Sequence, residues 1–146
     1  MAIYAALDRV TLVKNVGDDN VRMRIISHDA LDMMRQGKAT RQHMDAIVNV
    51  SNMAETLAVL YSLGRDWLPE IREAQAGIKA LAERGAKMRR YVLKAEELNA
   101  LNLLMQIHDS QLDACTVQML GEATDFIRAK MEANEVLIIP SIKDTQ

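Results

Sequence analysis

LNALNLLMQIHDSQLDACTVQMLGEATDFIRA, residues Leu98–Ala129, decides how the chain is read. At alternating steps of three and four it gives Leu98, Leu101, Met105, His108, Leu112, Cys115, Met119, Glu122, Phe126 and Ala129, the spacing of a heptad seam. Leu104 and Ile107 widen that seam into a stripe able to meet more than one neighbour. No proline interrupts it, so the reading is one helix over 95–133, about 60 Å long at 1.5 Å per residue. A helix of that length outruns a small domain. Either it breaks near Gly121, or its far half packs on a second copy of the chain; the second is the reading taken, with Leu98, Leu101, Met105, Leu112, Met119 and Phe126 as a dimer interface.

The rest of the chain also reads as helix. Residues 20–36 place Val21, Ile25, Ala30, Leu31 and Met34 inward, and Gly37 follows as a left-handed terminator. Thr40 caps a second helix over 41–62, lined by Met44, Ile47, Val48, Ser51, Ala54, Leu57, Ala58 and Tyr61. Asn49 and Asn52 lie close to that stripe and are read as outward-facing. Asp66 and Pro69 announce a third helix over 69–91, with Ile71, Ala74, Ile78, Leu81, Ala82, Met88 and Val92 inward. The ends differ in character: 1–17 is an extended arm rich in β-branched residues, and 135–146 is an extended tail containing the run Val136–Ile139 stopped by Pro140. The expectation is one all-α domain with four main helices, the C-terminal one very long, and short extended or β segments at the termini.

The 146 residues have a net charge of −2, but the charge is unevenly placed. Residues 1–94 hold fifteen Lys/Arg against eleven Asp/Glu, whereas residues 95–146 hold three against nine. Such polarity steers association. Two candidate faces result: a basic one with Lys79, Arg84, Lys87, Arg89, Arg90 and Lys94, and an acidic one with Asp109, Asp113 and Asp125. The basic residues could meet phosphates, but the third helix opens with Asp66, Glu70 and Glu73, which suits a groove-reading helix poorly. Direct contact with nucleic acid is therefore the second choice, behind a protein partner.

Chemical motifs are lacking. There is no Gly-x-Ser-x-Gly, no phosphate-binding glycine loop and no His-Glu-x-x-His. His108 and Cys115 stand seven apart, too far for a nucleophile and its base, and His28 and His43 belong to no ligand pattern; His108 reads as a core residue with one nitrogen satisfied. The expectation is no enzyme, no metal and no cofactor. The lone Cys115 reads as a buried thiol. No apolar run approaches the roughly 18 residues of a membrane span, and no secretory leader is recognisable, so a cytoplasmic protein is expected.

Three stretches carry a resemblance. Met34–Thr40 leading into Asn49–Ala58, then Ala74–Leu81, then Leu98–Leu101 with His108–Leu112, resemble a group of small proteins encoded by phages, prophages and plasmids of proteobacteria. They cover roughly residues 30–120 in the same order. That group has no assigned activity, so the resemblance carries over no functional residue. It implies a mobile-element context, in which small acidic proteins act by binding a host machine, as anti-CRISPR proteins do. The expectation is an inhibitor that binds a host protein or ribonucleoprotein complex; the alternative is a DNA-associated accessory or transcriptional regulatory protein.

Overall fold

The second helix, α2, is the element on which the others pack. The computed structural model describes residues 3–4, 16–133 and 137–138. Among them five α-helices follow in order: α1 (Val16–Arg35), α2 (Arg41–Tyr61), α3 (Leu68–Met88), α4 (Ala95–Ala114) and α5 (Val117–Glu132). A short 3-10 turn, Arg65–Trp67, precedes α3. α2 packs against every other helix. Its burial shows this, since Val50, Met53 and Thr56 are hidden as well as Met44, Ile47, Val48, Ala54, Leu57 and Ala58. Asn52 also turns inward, while Asn49 is half-buried. Thr56 and Ser51 bury their hydroxyls by donating to the carbonyls of Asn52 (2.7 Å) and Val48 (2.8 Å), so neither leaves an unpaired donor in the core.

The single long C-terminal helix is not formed. The chain turns extended at Cys115 (ψ 133°) and Thr116 (ψ 165°), and α5 starts afresh. Thr116 Oγ1 accepts the Met119 N–H at 3.2 Å, satisfying a donor that would otherwise be an orphan of the new first turn. Gly121, the expected weak point, lies inside α5. The break folds α5 back onto α2, where Leu120, Ala123 and Ile127 join Met53, Leu57 and Leu112 in a second core cluster. The main cluster combines Leu31 and Met34 of α1, Ile47 and Val48 of α2, Ile71, Ile78 and Leu81 of α3, and Leu101, Leu104 and Met105 of α4. Of the six residues expected to form a dimer seam, Leu101, Met105 and Leu112 are buried inside their own chain, and Leu98, Met119 and Phe126 are half-buried. Lys130 lies 4.8 Å from the Phe126 ring centroid, a cation–π contact.

Helix phases and ends also differ from expectation. On α1 the inner side is Met23, Ser27, Ala30, Leu31 and Met34, leaving Val21 and Ile25 exposed. Ser27 can take an inner position because its hydroxyl donates to the Met23 carbonyl at 2.6 Å. Asp66 sits in the 3-10 turn and does not cap α3, although Pro69 does occupy its first turn. α3 stops three residues early, at Met88, because Arg89 adopts a left-handed conformation (φ 58°) and the Arg90 N–H turns back to the Gly85 carbonyl at 3.1 Å. Met88 and Val92 are consequently exposed rather than inward.

At the chain ends, Ile3 pairs with Leu137 and Tyr4 with Ile138 in a two-residue parallel bridge, β1 to β2. Of the expected arm over 1–17, Val16 and Gly17 belong to α1, which starts four residues before the expected residue 20; the rest of the arm and of the C-terminal tail lies outside the described residues.

Candidate interaction surface

Up-and-down helices bring the turn between α1 and α2 beside the loop between α3 and α4. The two meet at Gly37. Its φ of +70° closes α1, with the Gly37 N–H donating to the Met34 carbonyl (3.1 Å) and the Lys38 N–H to that of Met33 (2.9 Å). A methyl on Gly37 would sit 3.3 Å from Arg90 Nη2, so the Arg90 guanidinium lies against the turn. Residues 35–41 contribute Arg35, Lys38 and Arg41, and residues 84–94 contribute Arg84, Lys87, Arg89, Arg90 and Lys94; neither segment contains an acid. The result is a basic pole at one end of the helical bundle.

The eight cations are not equivalent. Arg84 is a structural brace: its Nη1 and Nη2 hold the two Glu97 carboxylate oxygens at 3.1 and 2.5 Å, and Nη2 also reaches the Val92 carbonyl at 2.7 Å. Glu97 in turn accepts the Lys94 backbone N–H at 2.9 Å, capping α4. Burial by itself would push the Glu97 carboxyl up; hydrogen bonds from Arg84 and the Lys94 backbone outweigh it and hold the group below the usual carboxylate range. Arg41 pairs with Asp45 at 2.8 Å, and Arg35 Nη2 donates to Asn102 Oδ1 at 2.6 Å. Lys79, outside the pole, sits 3.7 Å from Glu83. Lys38, Lys87, Arg89 and Arg90 are exposed and have no carboxylate partner among the described residues, while Lys94 is exposed and its charge also acts on Glu97. Asp32 and Glu96 remain as exposed acids on the rim.

The expected acidic face is mostly tied up within the chain. Asp113 takes Arg24 of α1 at 2.6 Å, and Asp109 takes His28 at 2.9 Å. Asn20 Nδ2 adds a bond to the Leu112 carbonyl at 3.1 Å, so with Arg35–Asn102 four polar contacts lace α1 to α4. Asp125, on the outer side of α5, has only Arg128 at 3.4 Å. The two ends of the acidic set therefore sit on different helices with different tasks.

Interior polar chemistry centres on Gln111. Its Nε2 donates to the carbonyls of Ala54 and Leu63, both at 2.9 Å, tying α4 to α2 and to the following loop. His108 Nδ1 lies 3.3 Å from Gln111 Oε1, and Nε2 has no partner. Burial depresses His108 to about 4, so the imidazole is neutral at ordinary pH. Beside Gln111 opens a cleft of about 350 Å³ walled by Trp67, Leu103, Ile107 and Ser110. Cys115 is half-buried at the α4–α5 junction, and burial raises its thiol. No group of three or more His, Cys, Asp or Glu side chains able to hold a metal occurs among the described residues.

Sequence reading found one half of the pole and missed the other. Arg35, Lys38 and Arg41 sit about fifty residues from Arg84–Lys94 in the chain, and only helix pairing brings them together. The available signal was that the segment between α1 and α2, like Arg84–Lys94, carries basic residues and no acid. No described helix is long and apolar enough to cross a membrane. No family model, no curated protein and no solved structure matches this chain, so the case for a functional surface stands on the geometry.

Proposed function

We propose that this is a non-catalytic interaction protein of a mobile genetic element, acting through its basic pole on a nucleic-acid-targeting complex of the bacterial host. The carrying observation is the imbalance between the two charged faces. Asp109 and Asp113 are engaged with α1, whereas four cations of the pole have no carboxylate partner. Exposed ion pairs stabilise a fold by only about 0–1 kcal/mol, so a cluster of like charge left uncompensated at one end costs some self-repulsion without benefiting the core. Such a cluster is useful for steering a polyanionic partner. The mobile-element context comes from the sequence resemblance and supplies the class of partner.

The test is capture of a reconstituted host nucleic-acid-targeting complex by the intact protein, compared with a Lys38→Glu/Arg90→Glu variant. The reading expects wild type to hold the complex and inhibit it, and the variant to lose both. Equal capture by both proteins would remove the pole from the account. A Asp125→Lys variant, altered on the opposite face of charge, is expected to behave as wild type.

A further inference from the structure

The identity of the pole's ligand can be taken one step further, resting on the reading that the pole is the working surface. We propose that the pole binds the phosphate backbone of duplex nucleic acid, without reading base sequence.

Three features of the pole point to this chemistry. First, its cations come from two segments distant in the chain and joined at the Arg90–Gly37 contact, so they form a patch rather than a line along one helix. A duplex presents phosphates on both sides of a groove, and a patch of this kind can engage both strands. Second, its aromatic residue is withdrawn. Tyr91 is 1% exposed, and its ring lies on Gly85. Stacking on single-stranded bases needs exposed rings. Among the described residues the pole offers no exposed ring, and the cleft beside Trp67 is walled by residues of other segments. Third, the pole consists of helix ends and turns. Reading base edges requires a helix or a ribbon laid in the major groove, and no helix of the pole presents its length there. What remains is backbone contact, with four cations (Lys38, Lys87, Arg89 and Arg90) free of carboxylates and Lys94 beside them to displace counterions.

An anionic membrane is the competing polyanion. Met88 and Val92 are exposed among the cations, but they flank a left-handed turn and do not build an apolar helix face of the kind that enters the headgroup region.

The experiment is fluorescence anisotropy of the full chain titrated onto a labelled DNA duplex of about 25 base pairs, over about 50 to 200 mM salt. With about four phosphates neutralised, affinity should fall by about 10²-fold across that range. Two duplexes of unrelated sequence should bind within about threefold of each other, and Lys38→Glu/Arg90→Glu should abolish binding while its far-UV dichroism stays that of wild type. A milder Lys87→Gln/Lys94→Gln variant should lower the salt slope by about two. Absence of binding at the lowest salt, binding unchanged in both variants, or tighter binding to phosphatidylglycerol vesicles or polyglutamate than to duplex would each overturn the inference. If duplex binding fails while the variant still loses a nuclease-treated host complex, the nucleic-acid inference falls and the interaction reading stands. If the duplex is bound but the complex is not, the reverse holds.

Discussion

The ring of Tyr91 rests on Gly85. A methyl built on this glycine would come within 2.3 Å of Cδ1 and 2.7 Å of Cε1, closer than carbon atoms tolerate. The glycine is thus required by packing, since its backbone is not left-handed. The contact lets the chain leave α3, turn at Arg89 and carry the basic loop back across the end of the bundle.

Gly85→Ala should therefore destabilise the fold by about 1–3 kcal/mol, the usual cost of overpacking a core. Gly121 is the natural control. Nothing lies within 4 Å of a methyl there, and the residue is inside α5, so Gly121→Ala should stabilise by about 0.5–1 kcal/mol. Opposite shifts in thermal midpoint for the two variants would confirm the assignment. A shared sign would contradict it.

Arg84 should behave as a structural residue despite its place among the cations. Its truncation strands the Glu97 carboxylate, whose side chain is 8% exposed, and uncouples the start of α4. Arg84→Ala should cost about 2 kcal/mol or more in denaturant titration. Lys87→Ala, a few residues on and exposed, should change stability by less than about 0.5 kcal/mol.

The pH dependence follows from His108. Its folded value, about 4, is below the unfolded one, so the unfolded state takes up the proton first. Stability is complete above the unfolded value of about 6.5 and declines as pH falls from there towards 4. The loss between about pH 7.5 and about pH 5 should be about 2 kcal/mol, read as a drop in urea midpoint at constant slope. Below that range Glu97 adds to it, since a carboxylate held low in the folded state contributes stability that is lost as pH falls through its folded value. His108→Leu should flatten the upper part of the profile. An unchanged slope between about pH 7.5 and about pH 5 would place the proton elsewhere.

The two-residue break before α5 has its own test. Thr116→Ala removes the side-chain acceptor for the Met119 N–H and should cost about 1 kcal/mol. Amide exchange should rise first in the opening turn of α5, while α4 keeps its protection. Uniform faster exchange through both helices would indicate that they open as one unit.

Most of the helical architecture was legible because caps and apolar periodicity are local signals. Thr40, Gly37 and Pro69 fall where their chemistry suggests, and α2 and α4 begin within the expected residue. The break at Cys115 was not legible. In the sequence the three-four spacing runs unbroken through Leu112, Cys115 and Met119, and no proline or glycine marks the junction, whereas the core side of α5 is Leu120, Ala123 and Ile127, one residue out of that register. Thr116 was its one local sign. The rotation of α1 was hidden for a different reason: burying Ser27 in place of Ile25 depends on a hydroxyl bonding its own helix, which composition does not reveal. At the candidate surface, periodicity and charge counts found the 84–94 segment but could not place Arg35, Lys38 and Arg41 beside it. Nor could they separate Arg84, engaged with Glu97, from Arg90, which rests against Gly37 with no carboxylate partner.

The central claim is that positive charge is concentrated at one pole of a protein whose overall charge is negative. Chromatography on immobilised heparin at about pH 7.5 and low salt tests it directly. With a sequence pI near 5.9, a protein of evenly spread charge should flow through. Wild type should be retained and released by salt, and Lys38→Glu/Arg90→Glu should pass through unretained with its fold intact. Wild type in the flow-through, or a variant held as firmly as wild type, would contradict it.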